Sequence, residues 1–229
     1  SHPPHYHLAV NFVRSGKPLI TEERKMTHPA IALIEQRISA NLFDPSHSLA
    51  DTEIAELVRL ATRAPSAYNL QNWRFIAVKT PRAKAELRGL AYGQAKVSEA
   101  AVTFIVCGLL PDAATIPERL RDFVDTGYMS AHTALGWQDG ARAQYADAQT
   151  ARDEAVRSAT FGAATLMFVA AALGWVSSPM VGFDAEHVAR TFELAAHEIP
   201  VMLLAVGRAA AGNWPQKPRR PFSDVLQIA

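Results

Sequence analysis

Positively charged residues that could bind an anion occur at two distant points of the chain, and the first has a hydroxyl close by. Arg37 and Ser39 stand two residues apart, and Lys217 and Arg219 have the same spacing. A guanidinium binds two phosphate oxygens at once, and an ammonium contributes a further charged hydrogen bond. If the fold brings the two segments together, they predict a phosphate site. A lysine- and arginine-rich run alone is more often a solvated tail.

Two polar turns in the middle of the chain are suited to binding a planar heterocycle. Residues 64–73 read APSAYNLQNW, and residues 179–184 read PMVGFD. Their amide groups are the kind of polar contact that orients such a ring in a pocket. A turn of the first kind, taken alone, more often does no more than join a helix to a strand.

Other chemistries lack their sequence motifs. Cys107 is the only cysteine and lies in a predicted buried strand, so a disulfide, a cysteine metal site and a cysteine nucleophile are not expected. The sequence contains no GxSxG, Walker, GxGxxG or HExxH motif. Residues 1–26 include three histidines, and we interpret them as a flexible N-terminal extension, neither a metal site nor a signal peptide.

Composition narrows the function further. The chain has 23 basic and 22 acidic residues in 229, which disfavours a nucleic-acid binder. Residues 161–183 carry no charge, but glycines, serines and a proline dilute their hydrophobicity. We expect this stretch to contain a core helix buried all round that ends in a loop near Ser177, and no membrane span. The single cysteine suits a reducing cytoplasm.

The pattern of elements predicts one α+β domain over residues 27–229, with a sheet covered by helices. Apolar and β-branched runs predict the strands, and the C-terminal segment is a possible further strand: 73–78, 102–107, 201–206 and 222–228. Caps and helical spacing predict the helices: 27–39 capped by Thr27, one from Asp51 to Pro65, 82–91, pieces within 112–150, 150–173, and one capped by Asp184.

Taken together, these motifs resemble the FMN-dependent nitroreductase family. The matching positions run in the family's order across residues 29–228: Arg37, Ser39 and Phe43; residues 64–73, where Asn72 replaces a proline; Gln94 before Glu99 and Ala100; AALG(x)4P(x)2GFD at 171–184; and Lys217 with Arg219. The resemblance implies an α+β fold with a mostly antiparallel central sheet. It also implies an intertwined homodimer that exchanges C-terminal strands, with FMN at the interface.

The resemblance assigns roles to individual positions. Arg37, Lys217 and Arg219 would bind the FMN phosphate, with Ser39 beside the phosphate and the ribityl chain. Gln94 would bind the pyrimidine edge of the ring. The further positions are backbone amides near the ring, and a turn that reaches the flavin of the other subunit: Val181 and Gly182; Pro65, Ser66, Ala67 and Asn69.

Two positions depart from the family pattern. Asn41 stands where the family usually has a lysine or arginine near the part of the ring that gathers negative charge on reduction. A neutral amide should lower the reduction potential unless another cation, such as Lys96, takes its place. Val181 replaces an acid, which is tolerable if the main chain makes the contact.

The resemblance implies a ping-pong cycle with NAD(P)H as co-substrate. The acceptors would be small molecules such as nitroaromatics or quinones, and no side chain needs to be a nucleophile. Three alternatives remain open: a flavin-binding sensor or storage protein with little turnover, another flavin reaction on the same fold, and a structural dimer with a vestigial site.

Overall fold

The computed structural model describes residues 28–229. The predicted extension at 1–26 and the predicted cap at Thr27 therefore lie outside the described residues. The helices, in chain order, are α1 Pro29–Gln36, α2 Asp51–Ala61, α3 Pro81–Leu90, α4 Ala95–Glu99, α5 Ile116–Arg119, α6 Arg121–Asp125, α7 Ala131–Gln144, α8 Ala148–Ala172 and α9 Ala185–Thr191. The strands are β1 Trp73–Val78, β2 Val102–Leu109, β3 Val176–Met180 and β4 Glu198–Gly207.

The four strands form one antiparallel sheet in the order β1-β2-β4-β3, which confirms the predicted α+β class and antiparallel sheet. Side chains alternate between its two faces. On β2, Phe104 and Val106 face α2 and α8, whereas Ile105 and Cys107 face α3, α4 and α9. Burial raises the pKa of the Cys107 thiol to about 12, so at neutral pH it is an inert part of the core.

Helix α8 lies close to the sheet because its inner face is lined with small residues. A Cβ atom on Gly108 would overlap the backbone carbonyl of Ala155, and one on Gly162 would lie 2.9 Å from the Phe75 ring. By length and composition α8 is long and apolar enough to cross a membrane, yet in this fold it packs against the sheet and α2. The prediction that it is buried all round is wrong for the single chain, because Phe161 is 47% exposed.

The sequence failed to predict the edge strand β3. We expected a loop near Ser177, because two serines and Pro179 are poor strand formers. Pairing with β4 overrides that preference. Pro179 is tolerated because β3 is an edge strand of the sheet.

Three further boundaries differ from the predictions. Helix α1 ends at Gln36 instead of Ser39, because Arg37 leaves helical geometry (ψ 129°) and the chain then turns toward β3. At α2 the cap position is Ala50, whose N–H donates to Glu53, while Asp51 begins the helix and pairs with Lys79. Residues 222–228 form no strand in this chain: Phe222–Asp224 is a single 3-10 turn.

Candidate functional site

The segment after α1 is attached to the edge of the sheet. Ser39 forms a parallel bridge with Ser177 of β3, and the Ala40 N–H donates to the Ser177 carbonyl at 2.9 Å. This pairing fixes Arg37 and Asn41 on either side of the bridge, next to one end of β3. Among residues 28–229, Arg37 donates only to the neighbouring Ile38 carbonyl, at 3.2 Å, and this bond uses one of its five N–H donors.

The C-terminal segment is held against the same region by two amide side chains. Asn213 Oδ1 accepts from the N–H groups of Asn41 and Leu42, at 2.8 and 3.0 Å, and its Nδ2 donates to the Leu42 carbonyl at 2.7 Å. Gln216 Nε2 donates to the Arg37 carbonyl at 3.0 Å. The fold thus brings the sequence next to Lys217 into contact with the segment that carries Arg37.

Helix α4 and the residue before it supply two more polar side chains to this region. Gln94 precedes α4, and its Nε2 donates to the Gly182 carbonyl at 2.8 Å. Lys96 lies in α4, and its Nζ donates to Ser178 Oγ of β3 at 3.1 Å. Burial, and then the positive charge of Lys217, lowers the pKa of Lys96. The effect of Lys217 on this pKa indicates that the ammonium groups of Lys96 and Lys217 are close enough to repel each other.

We refer to Arg37, Lys96, Lys217 and Arg219 as the cationic group. Within residues 28–229, the ion pairs involve none of these four side chains. Arg219 donates instead to the Lys217 carbonyl, at 2.7 Å. Cationic side chains that have no carboxylate partner are suited to a phosphate, which accepts several charged hydrogen bonds at once. The residues present therefore fit the anionic end of a mononucleotide.

The positions predicted to bind the ring are also accessible. Val181 is 79% exposed and Gly182 is exposed too, so a ligand can reach this turn. Gln94 uses its amide nitrogen on the Gly182 carbonyl, and its Oε1 is left to accept a hydrogen bond from a ligand. The structure thus brings Arg37, Ser39, Asn41, Gln94 and Gly182 into one connected region.

The predicted turn at 65–69 lies elsewhere in the chain. Its described hydrogen bonds and packing connect it to residues 111–147, which we call the excursion, and none of them reaches the cationic group. Ser66 Oγ accepts from the Gln71 N–H at 2.8 Å, leaving its hydroxyl proton to donate elsewhere. One chain therefore carries the two predicted groups of site residues in separate places.

Sequence reasoning missed the residues that join the segments. Asn213, Gln216 and Ser178 belong to no motif and act through contacts between positions more than 80 residues apart. The sequence carries no signal for them. Lys96 was considered only as a substitute cation, and the structure places it beside Ser178.

Comparison with known proteins supports both fold and family. The sequence model of the nitroreductase family matches residues 34–208. YodC of Bacillus subtilis, provisionally named an NAD(P)H nitroreductase, is 33% identical over 196 residues, covering 84% of this chain and 95% of that protein. A protein of Thermus thermophilus named NADH dehydrogenase is 34% identical over 176 residues, covering 76% of this chain and 83% of its own length.

Solved structures share the architecture. The crystal structure of YdfN of Bacillus subtilis, provisionally described as a nitroreductase, matches with a TM-score of 0.82 at 28% identity, covering 87% of this chain and 98% of that one. A structure from Exiguobacterium sibiricum, provisionally described as a nitroreductase in complex with FMN, matches with a TM-score of 0.81 at 24% identity. It covers 90% of this chain and 99% of that one, and at this identity the likeness shows the fold.

Proposed function

Because this chain belongs to the nitroreductase family, we propose that it is an NAD(P)H-dependent FMN oxidoreductase that reduces nitroaromatics, quinones or similar small-molecule acceptors. The observation that carries the proposal is the cationic group: its four positive side chains lie on segments that hydrogen bonds join, and none of them pairs with a carboxylate among the described residues. The names of YodC and the Thermus protein support the nicotinamide reductant, and the Exiguobacterium structure is an example of this fold that holds FMN.

The proposed roles are those that the family resemblance implies, and the positions of the residues support them. Arg37, Lys217 and Arg219 hold the phosphate, and Ser39 lies beside it on the segment bridged to β3. Gln94 accepts from the pyrimidine edge of the ring. The main chain at Val181 and Gly182 contacts the ring, so the exposed Val181 side chain is not needed for this contact.

When bound, FMN supplies the hydride and electron transfer chemistry. The chain's own contribution is to anchor the phosphate, to hold the ring edge through Gln94 and the turn at Gly182, and to place positive charge nearby. No side chain needs to act as a nucleophile. The proposal assigns no catalytic acid or base.

Lys96 bears on the alternative of a flavin-binding sensor or storage protein with little turnover. Asn41 favours that alternative, because it removes the cation that family members place near the ring. Lys96, held at Ser178 of β3 and within reach of Lys217, supplies a positive charge from a different element. Its position favours an enzyme whose reduced cofactor is still stabilised by a cation.

We also propose that the protein is a homodimer. Apolar side chains stand exposed on α1, on α8 and in the C-terminal segment, with exposures of 55% for Ile34, 47% for Phe161, 73% for Phe222 and 88% for Ile228. Burying such a surface is a driving force for association. In the dimer, Pro65, Ser66, Ala67 and Asn69 reach the flavin held mainly by the other subunit, and the segment after Pro221 pairs with the partner's sheet.

Dimer formation is tested by sedimentation at several protein concentrations. We expect the mass of two chains, and a single-chain mass throughout would contradict the two-subunit site. A cytoplasmic location is our further proposal, because one buried cysteine suits a reducing compartment. Cell fractionation tests it.

The cofactor is tested with the purified protein. We expect a yellow protein, or an apoprotein whose visible spectrum changes on titration with FMN, and rapid bleaching of the bound flavin when NADH or NADPH is mixed in. A protein that takes up no FMN at saturating concentration would overturn the proposal. Uptake without bleaching by either nucleotide would favour the sensor or storage protein.

The acceptor class is tested by turnover. A nitroaromatic, a quinone and a halogenated phenol are compared with each nicotinamide. Turnover of the first two supports the proposal. Turnover of the phenol alone would support another flavin reaction on the same fold.

A further inference from the structure

The 65–71 turn has an unusual backbone. Tyr68, Asn69 and Gln71 have φ values of 51°, 53° and 46°, in the left-handed region that side chains other than glycine rarely adopt. None of the three is glycine. Such a conformation costs free energy and persists only where surrounding contacts impose it.

Contacts from the excursion surround this turn. Tyr68 Oη donates to Gln144 Oε1 at 2.8 Å, and its ring meets Trp137 and Tyr145 edge-on at centroid distances of 6.0 and 6.2 Å. Gly140 of α7 lies against the Tyr68 hydroxyl, where an added Cβ would come to 3.4 Å. Three positions of α7 and the residue after it therefore fix the Tyr68 side chain.

Arg119 fixes the backbone between the strained residues. It ends α5, and its guanidinium donates to the carbonyl of Leu70. Leu70 is fully buried and is flanked in sequence by Asn69 and Gln71. Arg119 as a whole is exposed, yet burial of its guanidinium lowers its pKa. Within residues 28–229, no carboxylate lies within ion-pair distance of Arg119. The Arg119 guanidinium therefore makes its charged hydrogen bond with a backbone carbonyl and not with a carboxylate.

Open space borders Arg119. A cavity of about 450 Å³ is lined by Arg119, Asn72, Asp112 and His197 among others. Asn72 directly follows the turn, so the guanidinium holds the Leu70 carbonyl at the edge of this cavity. The contacts of α7 hold the Tyr68 end of the turn, and Arg119 holds the Leu70 end.

We infer that Arg119 is a positioning residue for the cofactor: it holds the 65–71 turn in the strained shape with which Pro65, Ser66, Ala67 and Asn69 meet the flavin. The inference rests on the proposed function for the identity of the ligand. It adds that the excursion sets the geometry of a cofactor-binding turn. Arg119 itself contacts no cofactor.

The test measures FMN affinity by quenching of flavin fluorescence. Arg119→Met keeps the length of the aliphatic stem and removes the donors, and Arg119→Gln keeps a polar end. We expect the dissociation constant for FMN to rise at least about tenfold in both, the loss of a hydrogen bond made by a charged group. Arg121→Met is the matched control, since Arg121 is exposed on the same excursion, and it should bind FMN as the wild type does.

Two further measurements separate positioning from general loss of structure. Arg119→Lys restores a charged donor and should recover part of the affinity. Hydrogen exchange of the apoprotein should be faster at 68–71 in Arg119→Met and unchanged in β2 and β4. If the methionine variant does not fold, the glutamine variant is compared with the wild type in the same two measurements.

The outcomes are distinguishable from a failure of the proposed function. If wild-type protein binds no FMN, the proposed function fails. If wild type binds FMN and both Arg119 variants bind it equally well, the positioning role is overturned. Weaker binding that Arg119→Lys does not recover, together with faster exchange throughout the sheet, would also overturn it, because that result describes a general loss of structure.

Discussion

Lys96 donates a hydrogen bond to Ser178, with 3.1 Å between Nζ and Oγ, and so connects α4 to the edge strand β3. The bond holds a lysine near Lys217 although the two positive charges repel each other. An apoprotein that keeps two ammonium groups close together is prepared for an anion, because the bound anion relieves the repulsion. This relationship leads to the first prediction.

Replacing Lys96 with methionine should weaken FMN binding while leaving the apoprotein at least as stable as before. Methionine removes a charge that burial and Lys217 both disfavour. Fluorescence titration gives the affinity, and thermal unfolding without FMN gives the stability. Loss of stability together with unchanged affinity would show that Lys96 has only a structural role.

The same lysine predicts a pH dependence of stability. Its pKa in the folded protein lies below the ordinary value of 10.5, so the unfolded chain binds this proton more tightly than the folded chain does. This group therefore adds stability as the pH rises through the interval between the lowered pKa and 10.5. Unfolding of wild type and Lys96→Met at neutral and alkaline pH isolates the contribution, since the variant lacks it.

Removing both Lys217 and Arg219 should weaken FMN binding by at least about tenfold, because each charged contact contributes roughly 1.5–3 kcal/mol. The double alanine variant is titrated with FMN beside wild type. Arg220→Ala is the control, because Arg220 is turned to Asp224, with Nε 3.9 Å from Oδ2. Equal affinity in the double variant and wild type would place the phosphate elsewhere.

Restoring the family's cation at position 41 should raise the reduction potential of the bound flavin. Asn41→Lys adds a positive charge to a segment whose backbone is held by Asn213, so the main chain stays in place. We expect an upward shift on the order of 30 mV, equivalent to about 1.4 kcal/mol for a two-electron couple. Spectroelectrochemical titration measures it, and an unchanged or lower potential would remove Asn41 from the neighbourhood of the ring.

Gly108→Ala should destabilise the fold by about 1–3 kcal/mol or more, because the new methyl group overlaps the carbonyl of Ala155 in α8. Denaturant unfolding measures the change. Gly89→Ala is the matched control on α3, where an added Cβ meets nothing within 4 Å and should stabilise the helix by up to ~1 kcal/mol. Similar effects of the two substitutions would contradict the close packing of α8 on β2.

The sequence was sufficient where local preference and the final fold agree. Both ends of strand β1 were predicted correctly, because its run of aromatic and β-branched residues favours a strand. The family, the antiparallel sheet and the segments that carry Arg37 and Gln94 were also predicted, since their motifs are contiguous. The roles of individual site residues remain predictions.

What could not be predicted depends on contacts between distant parts of the chain. Strand β3 forms from poor strand formers because β4 lies beside it. Asn213 and Gln216 matter only because the C-terminal segment folds back onto residues 34–42. The sequence did not indicate the positive φ of Tyr68 and Gln71, because neither residue is a glycine.

The attachment of the 65–71 turn to the excursion has a consequence for altering this protein. Any redesign of residues 111–147 would also act on the turn, because Arg119, Trp137 and Gln144 lie within them and contact it. A library that randomises the whole region would select for variants that retain their prosthetic group before it selected for substrate. Randomisation that spares these three positions keeps the two selections separate.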